Sequence, residues 1–224
     1  MQMINVAIDG PSGAGKSTIS KAVANSIGYL YIDTGAMYRT VAYKALSEGI
    51  DLHNEDSLKK MLAETTIDIR HFGGAQHMIS DGSDVTDFIR TPEVSAAASA
   101  VAAIPLVREW LLELQRKLAD KNNCIMDGRD IGTTILPNAD VKIFLTASAE
   151  KRAERRYAEL REKGMDVRYD DVLSDMKKRD ANDSGRECSP LKVADGAVIL
   201  DTSNMNLDEA VEAVKSVVVG KAEM

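Results

Sequence analysis

The residues with the clearest chemical role form a glycine-rich stretch near the start of the chain. It fits the phosphate-binding pattern G-x-x-x-x-G-K-[ST] in full and consists of Gly10, Pro11, Ser12, Gly13, Ala14, Gly15, Lys16, Ser17 and the adjoining Thr18. Glycines let the backbone bring N–H groups around an anion, and the lysine reaches the β- and γ-phosphates while the serine hydroxyl is a ligand for Mg²⁺. The motif predicts a site for ATP or GTP with Mg²⁺; the alternative is a glycine-rich turn that binds nothing.

The residues around this motif must hold it in a strand–loop–helix unit. Ile4 to Ile8 is a β-branched run, and Lys16 to Ile27 has apolar residues at helical spacing and stops at Gly28. The positive end of that helix would face the bound phosphate. A second strand is predicted at Tyr29 to Ile32, followed by Asp33.

Apolar runs and helical patterns alternate along most of the remaining chain. Further strands are predicted at Cys124–Met126, Val141–Leu145 and Ala197–Leu200. Helices are predicted at Pro105–Lys121, Ser148–Lys163, Tyr169–Arg179 and Leu207–Val218. This alternation predicts an α/β protein with a mostly parallel sheet flanked by helices.

One stretch interrupts the alternation. Thr66–Arg70 and Gln76–Ser80 each alternate in polarity around the turn Phe72-Gly73-Gly74-Ala75, which indicates an antiparallel hairpin. Thr91-Pro92-Glu93 then opens an alanine-rich helix. The predicted domains are a core of residues 1–35, 109–150 and 186–224, an inserted module of residues 36–108 with its own small sheet, and a short helical lid region of residues 151–185.

The composition excludes several classes of protein. The chain has 224 residues and a net charge of −7, so no basic field is available to hold nucleic acid. Cys124 and Cys188 lack metal or redox spacing, which predicts free thiols in a reducing compartment. No apolar run approaches the roughly 20 residues that span a bilayer, and no basic leader is seen. We therefore expect a soluble, cytoplasmic protein that binds neither nucleic acid nor membrane.

Three further motifs carry a resemblance to a known family. They are Asp33-Thr34-Gly35-Ala36-Met37-Tyr38-Arg39, Asp127-Gly128-Arg129-Asp130 and Arg179-Asp180-x-x-Asp183-x-x-Arg186. Together with the phosphate-binding loop and the hairpin module, they resemble bacterial cytidylate kinases from about Ile4 to about Ser203. The resemblance implies a P-loop NTPase fold, a monomer, and transfer of the ATP γ-phosphate to CMP, and to dCMP, giving CDP or dCDP and ADP. Thr34 stands where family members commonly have serine, which preserves the hydroxyl.

The resemblance also implies roles for individual residues. The implied CMP contacts are Thr34, Tyr38, Arg39, Ser99, Arg108, Arg129, Asp130, Arg179, Asp183 and Arg186. Ser99, Arg108 and Asp130 would form the base pocket. Arg39 and Arg129 would bind the CMP phosphate, Asp183 and Arg186 the ribose, and Arg179 the phosphates. Lys16, Arg129 and Arg179 are the expected catalytic residues.

The chemistry of Asp130 agrees with a cytosine ligand. Cytosine presents an N4 amino donor where uracil has a carbonyl acceptor, and a carboxylate accepts hydrogen bonds from amino groups. The residue therefore predicts a preference for CMP over UMP.

Phosphoryl transfer requires positioning and charge neutralisation more than a base. The nucleophile would be an oxygen of the CMP phosphate, with Lys16, Mg²⁺ and arginines neutralising the bridging oxygens. Asp33, at the end of the second strand, is predicted to hold a Mg²⁺-bound water. Closure of the module and the lid is expected to exclude water.

Structural roles are the alternative for several of these residues. Asp33 and Asp127 would be N-terminal caps of the segments that follow them, Arg108 would be solvated, and Ser99 would be a small helix residue. Asp130 would pair with Arg129 or another arginine, and Met37 and Tyr38 would pack in the core. Arg152, Arg155 and Arg156 share one helix face, either as a lid over ATP, with Arg156 in the ATP site, or as surface ion pairs with Glu150, Glu154 and Glu159.

Two other functions remain open. One is a kinase for another small acceptor, such as a different nucleoside monophosphate or a hydroxylated metabolite, although the arginines favour an acceptor that already carries a phosphate. The other is a non-enzymatic nucleotide switch. A guanine-reading N-K-x-D motif would favour the switch, and Asp120-Lys121-Asn122-Asn123 does not fit it.

Overall fold

The structure is a computed structural model that describes residues 3–72 and 75–222. The strands in chain order are β1 (Asn5–Asp9), β2 (Leu30–Asp33), β3 (Ile67–Phe72), β4 (Ala75–Ser80), β5 (Ser83–Asp84), β6 (Cys124–Gly128), β7 (Val141–Thr146) and β8 (Val198–Asp201). The helices are α1 (Lys16–Ile27), α2 (Thr34–Ser47), α3 (Glu55–Ala63), α4 (Pro92–Val101), α5 (Pro105–Lys121), α6 (Ala149–Glu162), α7 (Tyr169–Gly185) and α8 (Leu207–Ala222). The chain divides into unit 1, Met1–Tyr31 with Asn122–Met224, and unit 2, Ile32–Lys121.

The main sheet has five strands in the order β2-β6-β1-β7-β8. The pairs β1–β6, β1–β7 and β7–β8 are parallel. Because Asp9 lies opposite Gly128, the carboxyl ends of β1 and β6 are level, and the loops that follow them emerge at the same edge of the sheet. The predicted parallel sheet is thereby confirmed.

The core of unit 1 lies between this sheet and two helices. Val6 and Ile8 of β1 are fully buried and pack with Val23 of α1 and Val214 of α8. A strand buried on both faces reads as a continuous apolar run, which is why β1 was recognisable in the sequence. Helix α1 has the predicted bounds and ends at Gly28, whose φ of 73° is left-handed.

Unit 2 has a small sheet of its own, with β3, β4 and β5 joined antiparallel in that order. The strands β3 and β4 confirm the predicted hairpin, while Gly73 and Gly74 of the predicted turn lie outside the described residues. Thr91 caps α4 through its side chain, which accepts a hydrogen bond from Val94 N, and Pro92 follows as expected.

The module boundaries differ from those predicted. Unit 2 extends to Lys121, because α5 belongs wholly to it: Val107 and Leu111 are fully buried in the same core as Met37 and Leu58. The predicted boundary at residue 108 cuts this helix. The predicted lid corresponds to α6 and α7 of unit 1, and α7 continues beyond the predicted end at Arg179.

None of the helices within residues 3–72 and 75–222 is by itself long and apolar enough to cross a membrane. The consecutive helices α4 and α5, with a bend of 97° between them, pass that test together on length and composition alone.

Candidate active site

The phosphate-binding loop of unit 1 needs its glycines for geometric reasons. Gly13 and Gly15 have φ of 76° and 89°, in the left-handed region. A Cβ added to Gly10 would lie 1.9 Å from the carbonyl oxygen of Leu145. The loop therefore accepts no side chain at Gly10, and the backbone of Gly13 and Gly15 turns as a phosphate cradle requires.

The helix that follows the loop begins without a side-chain cap. Gly15 is the N-cap of α1 and makes no capping hydrogen bond, whereas Asp33, Asn54, Thr91 and Ser148 cap α2, α3, α4 and α6 through their side chains. Uncapped N–H groups at a helix N-terminus bind anions, and the helix dipole adds to the attraction. The start of α1 is therefore suited to a phosphate.

Lys16 places a cation at the same loop. Its side chain is nearly inaccessible, with 6% exposure, and Nζ donates a hydrogen bond to Pro11 O at 2.7 Å. Burial, together with the neighbouring Arg129 guanidinium, lowers the pKa of Lys16 well below its ordinary value. A buried cation beside a second cation costs stability, and a bound polyphosphate would offset that cost.

Ser17 contacts a carboxylate that comes from a distant part of the sequence. Its hydroxyl donates to Asp127 Oδ2 at 2.8 Å, and Tyr31 Oη donates to Asp127 Oδ1 at 3.3 Å. A hydroxyl and a carboxylate at this spacing are the oxygen ligands that Mg²⁺ takes in phosphate-binding loops. Asp127 lies within β6 and not before a helix, so the alternative role of a helix cap is wrong.

Asp127 was not among the metal ligands predicted from the sequence, although a signal was present. The residue ends the apolar part of β6, and in many P-loop proteins an aspartate in that position accompanies the serine or threonine of the loop. Within the described residues no group of three or more His, Cys, Asp and Glu side chains has the arrangement of a metal site. In kinase sites Mg²⁺ is usually held by one or two carboxylates together with phosphate oxygens.

A second cationic cluster lies on the residues after β6 and on α7. Arg129 Nε donates to Asp183 Oδ2 at 2.8 Å, and Arg186 Nη2 lies 3.6 Å from Asp183 Oδ1. Burial acts to raise the pKa of Asp183, but attraction to Arg129, Arg186 and Arg179 outweighs it and the pKa is lowered. Four of the residues predicted to bind CMP thus lie together in unit 1.

Asp130 follows Arg129 and is nearly inaccessible, with 3% exposure. It directly precedes a π-helical turn, Ile131–Ile135, whose first two N–H groups donate to the carboxylate of Asp9. Burial raises the pKa of Asp9 to about 6. The sequence analysis gave Asp9 no role.

The three arginines of α6 do not form one cluster. Arg152 pairs with Asp180 of α7 at 2.7 Å and also donates to Ser12 O, while Arg155 donates to Thr202 O. Arg156, predicted to bind ATP, forms an ion pair with Glu159 at 2.7 Å on the surface of its own helix. The predicted compensation by acidic residues of the same helix therefore holds for Arg156 alone.

In unit 2, Asp33 has local partners for both carboxylate oxygens. Oδ1 accepts from Ala36 N at 2.9 Å, and Oδ2 accepts from Arg39 Nη2 at 2.8 Å. The backbone of Asp33 is held by Gln76, whose Oε1 accepts from Asp33 N at 2.8 Å. Asp33 is therefore a helix cap and a partner of Arg39, and the carboxylate that contacts Ser17 is Asp127.

The remaining predicted CMP residues of unit 2 lie on α2, α4 and α5. Arg108 is buried, with 7% exposure, so the alternative of a solvated arginine is wrong. Its guanidinium carbon lies 5.5 Å from the centre of the Tyr38 ring, and Nη1 donates to Ala102 O at 3.0 Å. Thr34 is buried at the start of α2, and Ser99 is half-buried on α4.

Comparison with known proteins identifies the family. The model of the cytidylate kinase family matches residues 6–219 of this chain. The chain belongs to the cytidylate kinase family. The family resemblance inferred from the sequence motifs is thereby confirmed, and so is the transferase class.

Curated relatives agree over their whole length. The cytidylate kinase of Caldicellulosiruptor bescii is 51% identical over 214 residues, which cover 96% of this chain and 95% of that protein. The cytidylate kinase of Bacillus cereus is 47% identical over 217 residues, which cover 97% of this chain and 96% of that protein. A solved structure of an uncharacterized protein from Eubacterium ventriosum has a TM-score of 0.51 at 14% identity and covers 97% of this chain and 99% of its own, a likeness of fold alone.

Proposed function

We propose that this chain is a nucleoside monophosphate kinase that transfers the γ-phosphate of ATP to CMP, and to dCMP. The observation that carries the proposal is the buried Lys16 beside Arg129 at an uncapped helix N-terminus. A bound polyanion would stabilise such an arrangement, because it supplies negative charge beside these cations. Membership of the cytidylate kinase family supports CMP as the acceptor.

ATP is assigned to the phosphate-binding loop, with its phosphates on the N–H groups of Gly13, Gly15 and the first turn of α1. Ser17 and Asp127 would hold Mg²⁺, which neutralises charge on the β- and γ-phosphate oxygens. From the sequence, Arg156 was predicted to contact ATP and Asp33 to hold a Mg²⁺-bound water. Their partners, Glu159 and Arg39, give these two predictions no support, and the Mg²⁺ titration described below tests the one for Asp33.

CMP is assigned to residues of both units, each set argued within its own unit. In unit 2, Thr34, Arg39 and Ser99 offer hydrogen bonds, and Arg108, held by Ala102 O, is assigned to the base edge with Tyr38 beneath it. In unit 1, the assigned residues are Arg129, Asp130, Arg179, Asp183 and Arg186. The pairing of Asp183 with Arg129 and Arg186 supports a preorganised site, since charged groups that are already oriented need no reorganisation when the ligand arrives.

In the proposed reaction, an oxygen of the CMP phosphate attacks the γ-phosphorus of ATP, and the bond to the β–γ bridging oxygen breaks. The chain supplies no base, because the attacking oxygen is already anionic. Lys16 and the arginines stabilise charge on the transferred group and on the leaving ADP. The burial of Lys16 strengthens its interactions, because little water is present to screen them.

The test is ADP release with ATP and Mg²⁺ against CMP, dCMP, UMP, AMP, GMP and shikimate. We expect strong turnover with CMP and dCMP and much weaker turnover with UMP. Turnover confined to another acceptor would keep the phosphotransferase and reject the CMP assignment. Absence of acceptor-dependent ADP release would favour a nucleotide switch.

The metal assignment predicts a difference between two aspartates. Asp127→Asn should raise the Mg²⁺ concentration for half-maximal rate by about tenfold or more, because a neutral amide is a poorer ligand than a carboxylate. Asp33→Asn should leave the Mg²⁺ concentration for half-maximal rate within about twofold of the wild-type value. Titration of activity with Mg²⁺ at saturating ATP and CMP measures both, and the reverse pattern would return the metal role to Asp33.

We also propose a cytoplasmic monomer that binds neither nucleic acid nor membrane. The net charge of −7 supports the absence of a nucleic-acid partner, and the free cysteines Cys124 and Cys188 support a reducing compartment. The monomer is supported by the family resemblance. Light scattering of the purified chain tests it.

A further inference from the structure

Asp9 is a buried carboxylate at the end of β1, directly before the phosphate-binding loop. Its side chain is 3% exposed, and both carboxylate oxygens are used inside the protein. Oδ1 accepts a hydrogen bond from Ile131 N and Oδ2 accepts one from Gly132 N, each at 2.8 Å. The residue therefore joins the strand before the loop to the turn after β6, across 122 residues of sequence.

These hydrogen bonds clamp the peptide group that follows Asp130. The N–H of that peptide, on Ile131, donates to Asp9. Its carbonyl, on Asp130, accepts from Thr134 N at 2.9 Å and from Ile135 N at 3.2 Å. The peptide plane that follows Asp130 is held at both ends, which restricts the ψ angle of Asp130 and so the backbone from which its side chain projects.

The turn is also packed tightly from its other side. A Cβ added to Gly132 would lie 3.1 Å from the Cβ of Ala194 and 3.4 Å from Asp9 Oδ2. A side chain at Gly132 would therefore require Ala194 to move by a few tenths of an ångström. The carboxylate and the glycine together fix the position of the turn.

We propose that Asp9 is a positioning residue for the acceptor site. It holds the turn after β6 so that Asp130 is aimed at the base of the acceptor nucleotide. The proposal rests on the proposed function, in which Asp130 reads cytosine. Asp9 touches neither substrate and acts only through the backbone of Ile131 and Gly132. A carboxylate suits this task, since each of its two oxygens accepts from one N–H group, whereas an asparagine of the same size has one acceptor oxygen and one donor nitrogen.

The test compares Asp9→Asn with wild type in four measurements: kcat and KM for CMP, the same constants for UMP, ATP affinity by calorimetry, and the melting temperature. The amide keeps the shape but presents an N–H to one of the two N–H donors, so one hydrogen bond is replaced by a repulsion. We expect kcat/KM for CMP to fall about tenfold or more and the preference over UMP to fall with it, because small displacements of a binding group cost that much. The Kd for ATP should stay within about twofold.

Asp140→Asn is the matched control. Asp140 is exposed and its Oδ2 accepts from Asn5 N at 2.8 Å, which is the same kind of bond on the first residue of β1. This variant should keep the wild-type kinetic constants for both acceptors. Gly132→Ala is the second test variant, because it displaces the same turn without altering β1; it should reproduce the loss of CMP preference and decides the question if Asp9→Asn does not fold.

Three results would overturn the proposal. The first is a folded Asp9→Asn variant with wild-type KM for CMP and wild-type preference over UMP, even if its melting temperature is lower, since that outcome indicates a structural role only. The second is an equal loss of ATP affinity, which would place the effect in the phosphate-binding loop. The third is a Gly132→Ala variant with wild-type preference. These results differ from a failure of the proposed function, because in that case the wild-type enzyme itself would show no preference for CMP over UMP.

Discussion

Replacing Lys16 by alanine should lower kcat by about 10³-fold or more and leave the fold intact. Removing one preorganised hydrogen-bond donor to a developing charge typically costs about 10²- to 10³-fold, and Lys16 supplies a full positive charge at a site with little water. The melting temperature should stay the same or rise. The lysine is buried beside Arg129, which lowers its pKa, so at neutral pH its charged form is less favourable in the folded than in the unfolded chain.

Lys21→Ala is the control for this prediction. Lys21 lies on the same helix α1 and is half-buried, but it is outside the phosphate-binding motif. We expect wild-type kcat for that variant. Stopped or steady-state assays with saturating ATP and CMP, together with thermal unfolding, measure both variants. Near-normal turnover of Lys16→Ala would refute the catalytic assignment of Lys16.

Replacing Asp130 by asparagine should lower the preference for CMP over UMP by about tenfold to a hundredfold. A hydrogen bond to a charged partner contributes about 1.5–3 kcal/mol, and each 1.4 kcal/mol is a factor of ten. The asparagine has the same shape, yet its amide can donate to the O4 carbonyl of uracil, which the carboxylate cannot. The variant should therefore lose activity with CMP and gain it with UMP.

The ratio of kcat/KM values for the two acceptors is the measurement, since it does not depend on the fraction of active enzyme. Asp195→Asn, at an exposed position of unit 1, should keep the wild-type ratio. An unchanged ratio in Asp130→Asn would show that another residue reads the base. A fall of both activities by the same factor would indicate that Asp130 acts on the structure of the turn and not on the base.

Much of the fold could be predicted because its signals are local. The bounds of α1 and α5 agree with the prediction, since apolar residues at helical spacing occur within a few turns and Gly28 ends α1 with a left-handed φ. The hairpin of β3 and β4 was recognisable by alternation over a few residues on each side of a glycine turn. By contrast, α2 and α3 were not predicted, although local signals were present: Asp33 and Asn54 cap them, and Gly49 separates them.

The phosphate-binding loop of the site could be predicted for the same reason, because its signal is also local. The phosphate-binding loop is one continuous motif whose glycine conformations and lysine position follow from eight consecutive residues. The predicted module boundary at residue 108 falls inside α5, because assignment of α5 to unit 2 depends on Val107 and Leu111, which pack with residues far away in sequence. The assignments of individual residues to CMP remain predictions until the substitutions above are measured.

By itself, the sequence predicted a nucleoside triphosphate site on a strand–loop–helix unit and indicated membership of the cytidylate kinase family, because those conclusions depend on residue types at fixed short spacing. Only the tertiary structure decided which partners these residues have: Asp127 for Ser17, Asp180 for Arg152, and Ile131 and Gly132 for Asp9. The physical reason is the strand order. With β1 between β6 and β7, residues more than 100 positions apart become neighbours at one edge of the sheet, and no periodicity along the chain encodes that order.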